Sequence, residues 1–291
     1  MSNIYKQGEH ESMRTITSEQ ITEAVAKACI EANLFLPEDI KQAITTAYEN
    51  EEGVSREILG QLIENFNIAE SDCMPVCQDT GMAVVFAEIG QQVCITGDYF
   101  ETAVEKGVRQ GYEQGYLRKS VVKDPILRGN TGDNTPAVIH TRIVPGDKIT
   151  LTIGPKGFGS ENMSALCMLK PSDGRDGVVR FVVDTVKKAG SNPCPPVVVG
   201  VGIGGTMEKA AMLAKQAIMR PVDSENEQPF YKELEQELLE KINALSIGPA
   251  GLGGKTTALG VNILTYPTHI AGLPVAVNMS CHVTRHKTVI L

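Results

Sequence analysis

Seven cysteines are spread over this chain of 291 residues, and their settings divide them by the chemistry they can do. Cys77, Cys194 and Cys281 each stand at the end of an extended apolar run or in a loop built from Pro, Gly or Asn. Loops on a rigid scaffold are where side chains are presented to ligands. Cys194 lies between Pro193 and Pro195, whose rings fix φ and remove N–H donors, so its thiol is carried on a stiff backbone. Cys281 is followed by His282, Arg285 and His286, a cationic neighbourhood expected to favour a thiolate. Cys29, Cys94 and Cys167 have strand or helix neighbours of apolar type and read as buried thiols. Cys73 fits either group. Metal ligation, a reactive thiol and plain burial all remain open from spacing alone. Three thiolates also suit zinc, although the C-x-x-C pair of structural zinc sites is missing, as is the compact cysteine run of an electron-transfer ferredoxin.

Two glycine-rich stretches offer a different chemistry. Gly200-Val-Gly202-Ile-Gly204-Gly205 satisfies G-x-G-x-x-G between a strand and a helix. No second strand ending in an acid follows it, and Asp223 and Glu225 stand in a polar loop, so the turn reads better as backbone N–H groups that approach an anion. Gly248-Pro-Ala-Gly251-Leu-Gly253-Gly254-Lys255-Thr256 has the look of a phosphate loop, but Pro249 stands where the Walker pattern needs glycine. Nucleotide binding through 200–205 and 248–254 is kept as a remote alternative.

The elements that must position these residues follow from periodicity. A capped start near Ser18 opens a helix carrying Ile21, Val25, Cys29 and Ile30; a second helix runs from Leu36-Pro37-Glu38 to about Tyr48 and a third from Ser55 to Phe66. Three antiparallel helices over 15–70 are expected, behind a flexible 1–14. Met82–Ile89 reads as a strand and Tyr99–Leu117 as an amphipathic helix. Strands Ala137–Val144 and Lys148–Ile153 flank the turn Pro145-Gly146-Asp147 as in a hairpin. Helices over 174–189 and 206–219, a solvated helix over Glu227–Lys241, and strands Val197–Val201, Val261–Tyr266 and Leu273–Ser280 complete the pattern. The fold class is α/β of mixed α+β type, a helical portion followed by a mixed sheet with flanking helices. A net charge of −8 argues against a nucleic-acid face. No segment reads as a secretory signal or reaches the roughly 18 uncharged apolar residues of a membrane span. A cytoplasmic protein is expected, with no membrane and no nucleic-acid partner.

Six motifs in order resemble one family. They are Pro75-Val-Cys77-Gln78-Asp79-Thr80-Gly81, Gly129-Asn-Thr-Gly-Asp-Asn134, Gly157-Phe-Gly159-Ser-Glu-Asn162, Ser191-Asn-Pro-Cys194-Pro-Pro196, Gly251-Leu-Gly-Gly-Lys-Thr256 and Asn278-Met-Ser-Cys281-His-Val-Thr-Arg-His286. Together, from about residue 15 onward, they resemble the class I, iron–sulfur fumarases and the related L-tartrate dehydratases. That resemblance implies a [4Fe–4S] cluster on Cys77, Cys194 and Cys281 whose fourth iron is open, a Lewis acid for dehydrating a small dicarboxylate. Single-chain members continue for a further domain, so this chain is expected to be an α subunit working with a separate β subunit, as α2β2.

The resemblance also distributes roles. Gln78 and Asp79 are expected to contact substrate beside the cluster, with Asp79 exchanging a proton with the departing hydroxyl. Arg118 is expected to clamp a carboxylate, with Arg128 as the alternative. Gly159 would offer its N–H to the same anion, and His269 would assist at the hydroxyl or a carboxylate. The base for the C3 proton is expected on the partner chain. Malate and fumarate are the expected pair, with tartrate dehydration the alternative.

Overall fold

The computed structural model describes residues 13–291. Strand β1 (Arg14–Thr17) leads directly into helix α1 (Ser18–Leu34). The cap falls on Thr17: its hydroxyl accepts from the Gln20 N–H at 3.3 Å while the Gln20 side chain accepts from the Thr17 N–H at 2.9 Å. Then come α2 (Glu38–Asn50), α3 (Gly53–Ser71), β2 (Met82–Gly90), β3 (Val93–Thr96), α4 (Phe100–Gln114), β4 (Val138–Val144) and β5 (Ile149–Lys156). The single turn α5 (Phe158–Glu161), β6 (Ala165–Leu169), α6 (Gly174–Ala189), β7 (Val197–Gly204), α7 (Met207–Ala217), α8 (Pro229–Asn243), β8 (Ala258–Tyr266), β9 (Leu273–Ser280) and β10 (Lys287–Ile290) follow. The mixed helix and sheet content is the expected fold class. Of the segment expected to be flexible, residues 1–12 lie outside the described residues, and Arg14 already pairs with Val93 of β3.

Two mixed four-stranded sheets organise the chain, ordered β10-β5-β2-β4 and β6-β9-β7-β8. In the first, alternation along β2 puts Ala83, Val85, Ala87 and Ile89 on one face, where they meet Ile149, Leu151 and Ile153 of β5 under α1 and α4. In the second, the apolar faces of α6 and α8 cover Val199, Val201, Ile263 and Val277. On the opposite face α7 lies against β7 so closely that a Cβ on Gly200 or Gly202 would stand 2.2 and 2.0 Å from carbonyl oxygens of α7. That contact is what the G-x-G-x-x-G run serves, since only glycine admits a helix at that distance.

Two expectations change. The three N-terminal helices do not bundle together: α1 packs on α4, and α2 on α3. Gly107 and Gly111 give α4 a flat stripe, and a Cβ there would approach carbonyl oxygens of α1 to 2.6 and 2.7 Å. Nor do β4 and β5 form a hairpin. β2 lies between them, parallel to β4 and antiparallel to β5, while the turn residues bond to its end through Gly90 N–H to Lys148 and Gln92 N–H to Gly146. Alternation marks a strand but does not say which strand fills the space beside it. Among the described residues no helix is long and apolar enough to cross a membrane.

Candidate active site

Strand register brings distant loops together. Met82 opens β2 opposite Lys156, the last residue of β5, so the segment Cys77–Gly81 lies beside Gly157–Glu161. Val198 near the start of β7 pairs with Ser280 at the end of β9, so Cys194 lies beside Cys281. The four segments enclose one cavity of about 680 Å³ including its open mouth, lined by Cys77, Cys194 and Cys281 together with Asp79, Lys156, Gly159 and Arg285. The cysteine neighbours are fixed from behind by α2 and α3, whose Ile40, Ile44 and Leu59 pack with Val76, Val198 and Val283.

The Cys77 loop is held almost carbonyl by carbonyl. Asn65 donates to Val76 at 2.9 Å, Arg285 to Asp79, Tyr112 to Thr80 at 2.7 Å and to Gly81 at 3.1 Å, and Asn134 to Gly81 at 3.1 Å. Tyr112 is fully buried, and burial pushes its phenol up, so it remains a donor. Asn134 also accepts from Ser120 and Val121. The Gly129–Asn134 motif therefore ties the Arg118 segment to the first cysteine loop. Such saturation fixes a loop that carries function.

Asp79 is half-buried, with one carboxylate oxygen accepting from the Gly81 N–H at 3.0 Å and the other from the Phe158 N–H at 2.9 Å. It also borders a neighbouring cavity lined by Arg118, Arg128, Ser120 and Phe158. Both candidate arginines thus face the same space as Asp79. Gly159 lies in the first turn of α5, where a backbone N–H has no intrahelical acceptor. Gln78 is exposed beside Cys77 and is not among the residues lining either cavity. His269 stands apart. It is exposed in the loop between β8 and β9, accepting from the Ala271 N–H at 3.2 Å, near Gly205. Gly204 pairs with Tyr266 at one end of β7, whereas Ser280 pairs with Val198 at the other. The separation is roughly 20 Å at a rise of about 3.3 Å per residue.

Electrostatics qualify the expected thiolate at Cys281. Burial pushes its thiol up, and Arg285 and Lys156 offset this only in part; His282 and His286 are themselves pushed down by burial, and so add little positive charge. Burial and the neighbouring Cys77 raise the Cys194 thiol. Cys194 adopts φ 54°, and its carbonyl faces the His282 ring at 3.0 Å. Among the described residues no group of three or more His, Cys, Asp or Glu side chains converges closely enough for a single metal ion. The three cysteines nonetheless line one cavity, a set of soft thiol donors of the kind that iron–sulfur groups take. Of the cysteines expected to be buried, Cys29 is, but Cys94, in the short strand β3, is exposed and Cys167 is only half-buried; Cys73 is exposed.

The sequence reading gave no role to Lys156 or Tyr112. Lys156 is 5% exposed, bonded to Ser160 at 2.9 Å and paired with Glu161 at 3.3 Å, and burial brings its ammonium down to about 8. Its signal in the sequence is a lone cation inside Gly154-Pro-Lys-Gly157. The phosphate-loop reading of 248–256 fails for a specific reason. The N–H groups of Lys255 and Thr256 both donate at 2.6 Å to Glu51, itself 2% exposed, so a carboxylate of this chain already fills the anion position. The loop braces Cys194 through the Ala250 N–H, which donates to Pro195 at 2.8 Å.

Comparison with known proteins agrees with this architecture. The model of the Fumerase family, described as fumarate hydratase, matches residues 22–290. A Methanocaldococcus jannaschii chain with the provisional name L(+)-tartrate dehydratase subunit alpha is 42% identical over 91% of this chain and 95% of its own length. L(+)-tartrate dehydratase subunit alpha from Escherichia coli, and its namesake from Shigella sonnei, are each 31% identical over 97% of this chain and 94% of their own. With near-complete coverage by both measures, the chain belongs to the fumarate hydratase (Fumerase) family of hydro-lyases.

Proposed function

We propose that this chain is the α subunit of an iron–sulfur hydro-lyase that interconverts malate and fumarate, with a separate β subunit, as α2β2, supplying the rest of the active site. The observation that carries this reading is the convergence of Cys77, Cys194 and Cys281 on one cavity beside Asp79. There Cys77, Cys194 and Cys281 would hold a [4Fe–4S] cluster. When bound, the cluster supplies an open iron as a Lewis acid toward hydroxyl and carboxylate oxygens.

The residues of the chain do the rest of its share. Asp79 delivers a proton to the hydroxyl oxygen that leaves as water and recovers it in the hydration direction. Its two backbone donors, from Gly81 and Phe158, fix the carboxylate so that little reorganisation accompanies the transfer. Arg118 takes a substrate carboxylate with its planar fork, with Arg128 as the alternative on the same cavity. Gly159 adds a backbone N–H. Removal of the C3 proton falls to a base of the β subunit. His269 lies outside the cysteine cavity of its own chain, so a contact between it and substrate is made in trans.

A second reading, dehydration of tartrate to oxaloacetate, is supported by the names of the relatives. Coexpression with the β chain, anaerobic purification and assay on malate, fumarate and L-tartrate decides between them. The expected product is a brown protein with about four irons per α chain, whose turnover is lost on Cys77→Ala. A colourless protein holding one zinc overturns the proposal.

A further inference from the structure

Two buried cations line the cysteine cavity, and they differ in how their charge is met. Lys156 has Glu161 at 3.3 Å. Arg285 is 6% exposed and has no carboxylate partner among the described residues. One guanidinium nitrogen donates to the Asp79 carbonyl, while Nε is buried with no hydrogen-bond partner. An arginine cannot shed its proton to relieve burial. A buried charge with neither a counter-ion nor a full set of acceptors is strongly unfavourable, so the residue implies an anion at this place.

The anion is available in the same cavity. Arg285 follows Cys281 by one turn, closed by the Thr284 hydroxyl donating to the Cys281 carbonyl at 2.8 Å. It lines the same cavity as Cys77, Cys194 and Cys281. Resting on the reading that the three thiolates hold a cluster, we propose that Arg285 is the cluster's counter-charge and the positioning residue that couples it to the Asp79 loop. Its free Nε–H is directed to a thiolate or sulfide sulfur, while the other arm of the guanidinium holds the carbonyl of Asp79. Hydrogen bonds and positive charge near the sulfurs are what set the potential and retention of such clusters. The role is a positioning one, since Arg285 acts on substrate through Asp79 and through the cluster.

The test uses the anaerobically purified αβ holoenzyme with Arg285→Gln and Arg285→Lys. Arg285→Gln is expected to lower iron per chain, to shift the cluster midpoint potential to more negative values, and to shrink the rise in Tm that accompanies cluster loading. Arg285→Lys keeps the charge and is expected to hold the potential near that of the wild type while kcat falls, because an ammonium cannot serve both arms. If Arg285→Gln fails to fold, the potential of Arg285→Lys decides: a value near the wild type supports the counter-charge, and a fall as large as the loss of a charge overturns it. An Arg285→Gln enzyme with full iron, an unshifted potential and an unchanged loading-dependent Tm also overturns it. A wild-type enzyme that binds no iron refutes the underlying cluster reading instead, and is distinguished by failing in every variant.

Discussion

Tyr112 donates its phenol to the carbonyl of Thr80 at 2.7 Å from a fully buried position in α4. That bond reaches from the helix that covers the first sheet to the loop that carries Cys77 and Asp79. Tyr112→Phe leaves the Thr80 carbonyl without its donor, whereas Gly81 keeps Asn134. The expected cost is about 1–3 kcal/mol of stability, read as a lower urea midpoint, with kcat reduced and iron content retained. Unchanged kcat would show that the bond does not position Asp79.

Glu51 fills the anion position of the glycine loop. Glu51→Ala strands two N–H groups, those of Lys255 and Thr256, and unlocks the brace behind Cys194. A loss on the order of 2–4 kcal/mol is expected, with loss of cluster retention. Calorimetric titration of the native protein with ATP or NAD should give no heat. Tight binding of either would restore the nucleotide reading.

These two cases show what the sequence carries and what it leaves out. The loop cysteines, the strands that present them and the helix starts follow from local pattern, and the register pairs Met82 with Lys156 and Val198 with Ser280 then bring the motifs together. Partners far away in the chain are not local. Glu51 lies about two hundred residues before the N–H groups it receives, and nothing in Gly248–Thr256 announces that they are taken. The same holds for β2 inserting between β4 and β5, and for Arg285. Its basic character was visible beside Cys281, but not its burial or its reach to Asp79.

Arg118 and Arg128 line one cavity with Asp79, and substitution separates them. Arg128 adopts φ 64° and bonds to the Pro125 carbonyl at 3.3 Å, so part of its role is local. Arg118→Ala should raise KM for the dicarboxylate at least about tenfold, equivalent to roughly 1.4 kcal/mol of lost binding, with iron content intact. Arg128→Ala should change KM by less. The reverse order assigns the clamp to Arg128.

Thiol labelling reports the site without any turnover. In the iron-free chain, exposed Cys73 and Cys94 should react with iodoacetamide first; Cys194 is exposed too, but its thiol is raised by partial desolvation and by Cys77, so it should follow more slowly, and half-buried Cys281 should be slowest, both speeding up at higher pH. Iron loading should protect Cys77, Cys194 and Cys281 and leave Cys73 and Cys94 unchanged, as peptide mapping would record. Equal labelling of Cys77 with and without iron would remove it from the ligand set. Cys29 should resist throughout, because burial pushes its thiol from 9.0 up to about 12. The folded chain then keeps a proton that the unfolded chain releases near 9.0. Stability from this group is therefore full below pH 9 and is lost as pH rises toward 12. The urea midpoint should fall between pH 9 and 11, and that part of the slope should vanish in Cys29→Val.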